Sequence, residues 1–227
     1  MPIVTLTTPD GFALPALHVA SPQPGARPLV LIQEIFGLNA AMHEAAEQWA
    51  ALGFEVLCPD LFARQQANVD LDPTRPEEFK AGIDLMMSMD QDLAVKDLDA
   101  ARQWFETRAP GASVATLGYC LGGRLAVRMA FETPIAAAVS YYGVGLEQYL
   151  PAAPAAGAPC LLHIAGADGF VPPPARAVIL EEAEKRPRMV AHVYEGCDHA
   201  FARPGGEHHD SGAATLAQAR TLAFLQA

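Results

Sequence analysis

Short apolar runs alternate along the chain with longer stretches whose apolar residues recur at helical spacing. Residues 3–8 and 12–20 read as strands around Pro9-Asp10-Gly11, which predicts an antiparallel hairpin. Pro28-Leu29-Val30-Leu31-Ile32 is continuously apolar, as expected of a strand covered on both faces. A helix is expected from about Ala40 to Leu52, stopped by Gly53, and a strand from Phe54 to Cys58, ended by Pro59-Asp60. A polar loop over 63–75 precedes helices over 76–88 and 90–108; the second carries Leu93, Leu98, Ala101, Trp104 and Phe105 near one face. Val114 to Leu117 reads as a strand and Leu121 to Glu132 as a helix. Ala136 to Tyr141, Cys160 to Ala165 and Met189 to Tyr194 are further strands, with a Pro/Ala-rich connection over 144–158 and a helix over 174–186. Ser211 to Gln226 closes the chain as a helix, with Ser211 as its N-cap. An antiparallel start followed by alternating strands and helices predicts an α/β sandwich with a mainly parallel sheet.

Composition narrows the class. With 227 residues, 51% of them apolar, the chain can build one large core, so residues 1–227 are expected to form a single domain. No run of 18 apolar residues suggests a membrane span, and Met1-Pro2-Ile3-Val4-Thr5 lacks the basic-then-apolar form of a signal peptide. A net charge of −11 argues against a nucleic-acid surface. Cys58, Cys120, Cys160 and Cys197 form no C-x-x-C pair, and reduced thiols in the cytoplasm are the expectation. Cys58 and Cys160 sit in apolar strands and read as small core residues.

Gly118-Tyr119-Cys120-Leu121-Gly122 lies between a predicted strand and a predicted helix and has the G-x-nucleophile-x-G form. Glycines on both sides permit a crowded, sharp turn. Such a turn presents its central side chain over a helix N-terminus, where free N–H groups and the dipole favour a thiolate and the oxyanion it generates. Two later loops at strand ends carry the remaining chemistry: Asp168 in Ala167-Asp168-Gly169-Phe170, and His199 in Cys197-Asp198-His199-Ala200-Phe201. The order nucleophile, acid, base assigns Cys120, Asp168 and His199, with His199 sharing a proton with Cys120 and Asp168 fixing the imidazole tautomer. Asp198 is the alternative acid, disfavoured because it directly neighbours His199. His163 reads as a hydrogen-bonded core residue. His208-His209-Asp210 makes a poor chelator without a distant third ligand, so no metal is expected. After the first buried strand, Glu34 lies beside Ile35, whose amide together with that of Leu121 is the candidate oxyanion hole. A carboxylate there would repel an oxyanion and makes better sense as a switch near the thiol.

These motifs resemble the dienelactone hydrolase family, the carboxymethylenebutenolidases, over essentially the whole chain. The resemblance rests on Gln33-Glu34-Ile35-Phe36-Gly37, Cys58-Pro59-Asp60-Leu61, the elbow through Gly123, Tyr141-Tyr142-Gly143-Val144-Gly145, Asp168-Gly169-Phe170-Val171-Pro172 and His199-Ala200-Phe201-Ala202-Arg203. It implies an α/β-hydrolase fold with a mainly parallel sheet of about eight strands and helices on both faces. It implies a monomeric, cofactor-free enzyme acting on a small anionic lactone or ester, with the resting thiol neutral and turned away until substrate frees Glu34 from an arginine. Arg203 is the implied carboxylate binder, and Phe36 and Tyr142 the implied pocket walls. The sequence departs from the family near α-helical residue 79: Phe79 stands where a second arginine is usual, Ile83 where a tyrosine is usual and Met86 where a tryptophan is usual. Arg75 or Lys80 is the available substitute cation, and lysine lacks the guanidinium fork. A broader esterase or thioesterase with a more apolar pocket is the alternative reading. A non-catalytic or redox-sensing protein of the same fold is the rival from another class.

Overall fold

The computed structural model describes residues 2–226; Met1 and Ala227, the ends of the expected domain, lie outside them. The elements run β1 (Ile3–Thr7), β2 (Ala13–Val19), β3 (Arg27–Ile32), α1 (Ala40–Ala51), β4 (Phe54–Pro59), α2 (Pro76–Ser88), α3 (Gln91–Arg108), β5 (Ala115–Tyr119), α4 (Leu121–Glu132), β6 (Ala137–Tyr141), α5 (Leu146–Tyr149), β7 (Cys160–Ala165), α6 (Pro173–Glu184), β8 (Met189–Tyr194) and α7 (Ser211–Gln226). The strands form an eight-stranded sheet in the order β1-β2-β4-β3-β5-β6-β7-β8. Two compact units, Met1–Thr116 and Leu117–Ala227, are described in turn.

In the first unit the predicted hairpin pairs Ile3 with Leu17 through Thr7 with Ala13, and β2 continues antiparallel to β4. Gly11 turns it at φ +83°, a value that favours glycine. β3 runs parallel to β4, and Leu29 to Ile32 are fully buried, as the unbroken apolar run required. The Asn39 side chain caps α1 by accepting from the Met42 N–H at 3.2 Å. Gly53, at φ +97°, ends the turn that follows it. Trp49 of α1 packs edge-on against Phe54 of β4, and α3 buries Leu98, Ala101 and Phe105 as its spacing predicted. Arg64 clasps Asp97 at 2.7 Å and Asp10 at 2.9 Å, tying loop, helix and hairpin. The loop expected to be polar is held inward: Val69 is buried, and Gly37 bridges Asp70.

In the second unit β6, β7 and β8 are parallel neighbours. The Pro/Ala-rich connection is not featureless. It forms α5 and a 3₁₀ turn because Leu146 and Leu150 are both buried, a packing demand that its composition conceals. α7 is capped by Asp210 rather than Ser211: Asp210 Oδ1 accepts from the Ala213 N–H at 2.8 Å. A buried polar chain docks α7 on the sheet. Thr221 Oγ1 bonds Tyr141 Oη at 2.8 Å and His163 Nε2 at 2.9 Å, and His163 Nδ1 bonds Tyr194 Oη at 2.8 Å. Burial pushes the His163 pKa down to about 3, so the ring is a neutral core residue. Among the described residues no helix is long and apolar enough to cross a membrane.

Candidate active site

Cys120 is the hinge between β5 and α4. Its backbone sits at φ 54° and ψ −117°, a conformation a non-glycine residue adopts only when its surroundings impose it. The surroundings are visible. The Cys120 N–H donates to the Tyr141 carbonyl at 3.0 Å, and a Cβ on Gly118 would run into the Gly122 carbonyl. A Cβ on Gly123 would lie 2.7 Å from Ser140 Oγ and 3.0 Å from the Gly143 Cα, so α4 approaches β6 only through glycine. Leu121 opens α4, so its amide belongs to the helix terminus whose first N–H groups lack intrahelical partners. The other thiols differ. Burial pushes Cys160 up to about 12 and raises Cys58 and Cys197 as well, which keeps all three protonated at neutral pH.

Asp168 and His199 come from the loops after β7 and β8, and backbone bonds knot those loops together. Gly166 N–H donates to Tyr194 O at 2.9 Å and Ala167 N–H to Cys197 O at 2.8 Å. Asp168 Oδ2 lies 2.7 Å from His199 Nδ1, while its Oδ1 accepts from the Phe170 N–H at 2.8 Å. Asp198 serves the backbone instead, its Oδ1 2.6 Å from the His199 N–H. Asp168 and His199 are both buried, and the imidazole is flanked by Tyr142 and Phe170 at centroid distances of 5.1 and 4.9 Å. With Nδ1 engaged by Asp168, Nε2 is the nitrogen left for a reacting partner. Burial alone would depress this imidazole. Interaction with the Cys120 sulfur and its hydrogen bonding, together with Asp168, outweigh burial and hold the pKa up at about 10. The sulfur therefore faces the ring, where the family resemblance implies a resting thiol turned away.

The remaining candidates in the first unit surround the segment after β3. Glu34, Ile35 and Phe36 are all buried there. Gln33 Oε1 accepts from the Leu61 N–H at 3.2 Å, and Leu71 N–H donates to Phe36 O at 3.0 Å. Gly37 adopts φ +74°, and a Cβ on it would collide with the Val69 carbonyl. Phe79 of α2 packs tilted against Phe36, ring centroids 5.7 Å apart, with Ile83 and Met86 half-buried on the same helix. Arg75, two-thirds exposed, pairs with Asp72 and Glu78, and Lys80, three-quarters exposed, pairs with Asp84. Both cations available to replace the family arginine are thus committed to solvent-facing pairs. Arg203 is half-buried in the second unit, in a turn where its N–H donates to Ala200 O at 2.9 Å. Sequence reading did not single out Phe170 as a neighbour of the imidazole; its position two residues past Asp168 is the only local signal. Among the described residues no group of side chains is suited to a metal ion.

A mainly parallel sheet with a strained elbow before a helix, and a carboxylate–imidazole pair on later strand-end loops, is the arrangement of the α/β-hydrolases. An α/β serine hydrolase homologue from Coxiella burnetii shares the fold, with TM-score 0.68, 14% identity, and coverage of 100% of this chain and 97% of that one. The dienelactone hydrolase from Anabaena variabilis matches with TM-score 0.71 and 22% identity over 99% of this chain and 96% of that one. The carboxymethylenebutenolidase of Pseudomonas putida is 38% identical over 98% of this chain and 94% of its own length. Carboxymethylenebutenolidase 1 of Cupriavidus pinatubonensis is 34% identical over 98% and 95%. Residues 14–227 match the family model described as the dienelactone hydrolase family, and the chain belongs to that family.

Proposed function

We propose that this protein hydrolyses lactone and ester bonds with Cys120 as nucleophile, His199 as its proton partner and Asp168 as the acid that orients His199, with dienelactones as substrate and maleylacetate as product. The observation that carries the reading is the imidazole held by Asp168 at 2.7 Å on the loop that follows β8, beside the elbow. In this scheme an anionic substrate engages Arg203 and Glu34 takes the proton of Cys120. The thiolate, paired with the imidazolium, attacks the lactone carbonyl while the Ile35 and Leu121 amides stabilise the oxyanion. The ring C–O bond breaks, leaving an acyl-thioester and an enolate that takes a proton from a water molecule. The hydroxide so formed attacks the thioester, the acid departs, and the regenerated thiolate takes its proton back from Glu34. A stabilised leaving group suits a soft nucleophile.

The family match over residues 14–227 supports reading the chain as one hydrolase domain. The names of the carboxymethylenebutenolidase relatives support the substrate. A place in aromatic-compound degradation, in the cytoplasm and as a monomer, belongs to the proposal with it. A second reading, a broader esterase or thioesterase, is favoured by one observation: α2 presents Phe79 beside Phe36 while Arg75 and Lys80 face solvent. The test is turnover of a dienelactone and of a neutral aryl ester by wild type and Cys120→Ala. The proposal expects the lactone to be preferred and the variant to lose about 10⁴-fold or more in kcat. Undiminished turnover by Cys120→Ala would refute the cysteine mechanism, and a preference for the neutral ester would select the second reading.

A further inference from the structure

A small cavity of about 10 Å³ is lined by Asp168 and walled by Leu146, Leu162 and Ile179. Besides Tyr142, two of the side chains lining it bring polar atoms with hydrogen-bonding capacity to spare. His163 touches it, but both its ring nitrogens are committed to Tyr194 and Thr221. Ser140 is one of the two. It sits on β6 opposite Leu162 and is 1% exposed, and its Oγ is buried without a hydrogen-bond partner. That hydroxyl occupies a cradle kept open by glycine, since a Cβ on Gly123 would lie 2.7 Å from it. Asp168 is the other. Its carboxylate has four acceptor sites, of which the His199 ring and the Phe170 N–H use two. Buried hydroxyls are almost always satisfied, and a cavity of this size with polar partners on two sides accommodates one water.

We propose that this cavity is a single-water site, in which the Ser140 hydroxyl donates to the water and the water donates to Asp168, making Ser140 a positioning residue for the acid. The inference rests on Asp168 serving as the acid of the proposed triad. A third donor to the carboxylate holds it in place against the His199 ring. Ser140→Ala removes the anchor without adding bulk. Its acid limb of kcat/KM is expected to move up by about half a pH unit, and kcat/KM to fall about fivefold, the effect of one hydrogen bond. Ser140→Gly opens room for a second water in place of the hydroxyl and is expected to return the limb toward its wild-type position, which a purely structural role for Ser140 would not do. A high-resolution crystal structure of the wild type is expected to show the water bonded to both Ser140 Oγ and the Asp168 carboxylate. A dry cavity, a water that does not touch Asp168, or a Ser140→Ala pH profile superimposable on wild type overturns the proposal. Parallel assays of Cys120→Ala and Asp168→Asn separate the two readings: if either retains wild-type turnover, the triad fails, and the crystal structure alone then decides the water.

Discussion

The acid and base loops of the second unit and helix α2 of the first follow opposite designs. The loops after β7 and β8 are over-determined. Two backbone bonds join them, Asp168 meets His199 at 2.7 Å, a second carboxylate holds the His199 backbone, and two aromatic rings flank the imidazole. Every neighbour restrains the same ring in the same pose, as proton transfer demands. α2 imposes no such restraint. Its cations pair with carboxylates of their own segment, and the side chains at the family's recognition positions are Phe79, Ile83 and Met86. The difference separates two kinds of information. On the proposed function, bond-breaking chemistry falls to groups locked by several partners, and substrate choice to a half-buried helix whose residues can change without disturbing a network.

The sharpest way to break this contrast is Asp168→Asn. If the loops are tuned to one tautomer, the substitution preserves the fold and lowers kcat by about 10³- to 10⁴-fold, measured as initial rates on a dienelactone beside an unchanged melting temperature. A loss of tenfold or less would mean that the network is structural and the contrast false. Phe79→Arg tests the other side. Restoring a guanidinium on α2 is expected to raise kcat/KM for an anionic lactone relative to a neutral aryl ester by about tenfold, the worth of one charge-assisted contact. An unchanged ratio would remove α2 from recognition.

The smallest effect concerns His199 itself. Because the charge of Cys120 is the largest influence raising its pKa, Cys120→Ala should move the imidazole titration, followed by NMR, below about 10. The sign for stability follows. The folded pKa of about 10 stands above the ordinary 6.5, so the imidazolium contributes fully below pH 6.5 and that contribution is lost as pH rises through about 10. Wild type is therefore expected to lose melting temperature between those limits, and Cys120→Ala to lose less. Equal losses would show that the sulfur does not set the charge of the ring.

Much of this was legible in advance because the signals are local. Continuous apolar runs marked β3 and β7, glycine at Gly53 marked the stop after α1, and the helix after the elbow begins and ends at the residues its pattern indicated, Leu121 and Glu132. Cys58, Cys160 and His163 read correctly as core residues because each lay within an apolar strand. The misreadings have physical causes as well. Ser211 and Asp210 are both good caps, and only the path of the chain into α7 chose Asp210. Composition described 144–158 as a connection because the two leucines that bury its helical turn are outnumbered by proline and alanine.

By itself the sequence determined the order of strands and helices, the elbow at Cys120 and the roster of groups able to do chemistry, since periodicity, glycine placement and residue type act over a few neighbouring positions. Tertiary structure decided which groups meet. It brought Asp168 rather than Asp198 to the imidazole ring, turned Arg75 and Lys80 toward solvent, faced the Cys120 sulfur to His199 and left Ser140 with its hydroxyl over a cavity. These outcomes depend on contacts between segments far apart in the chain, where the geometry of strand ends and the cost of burying unpaired charge choose among partners that are chemically equivalent on paper.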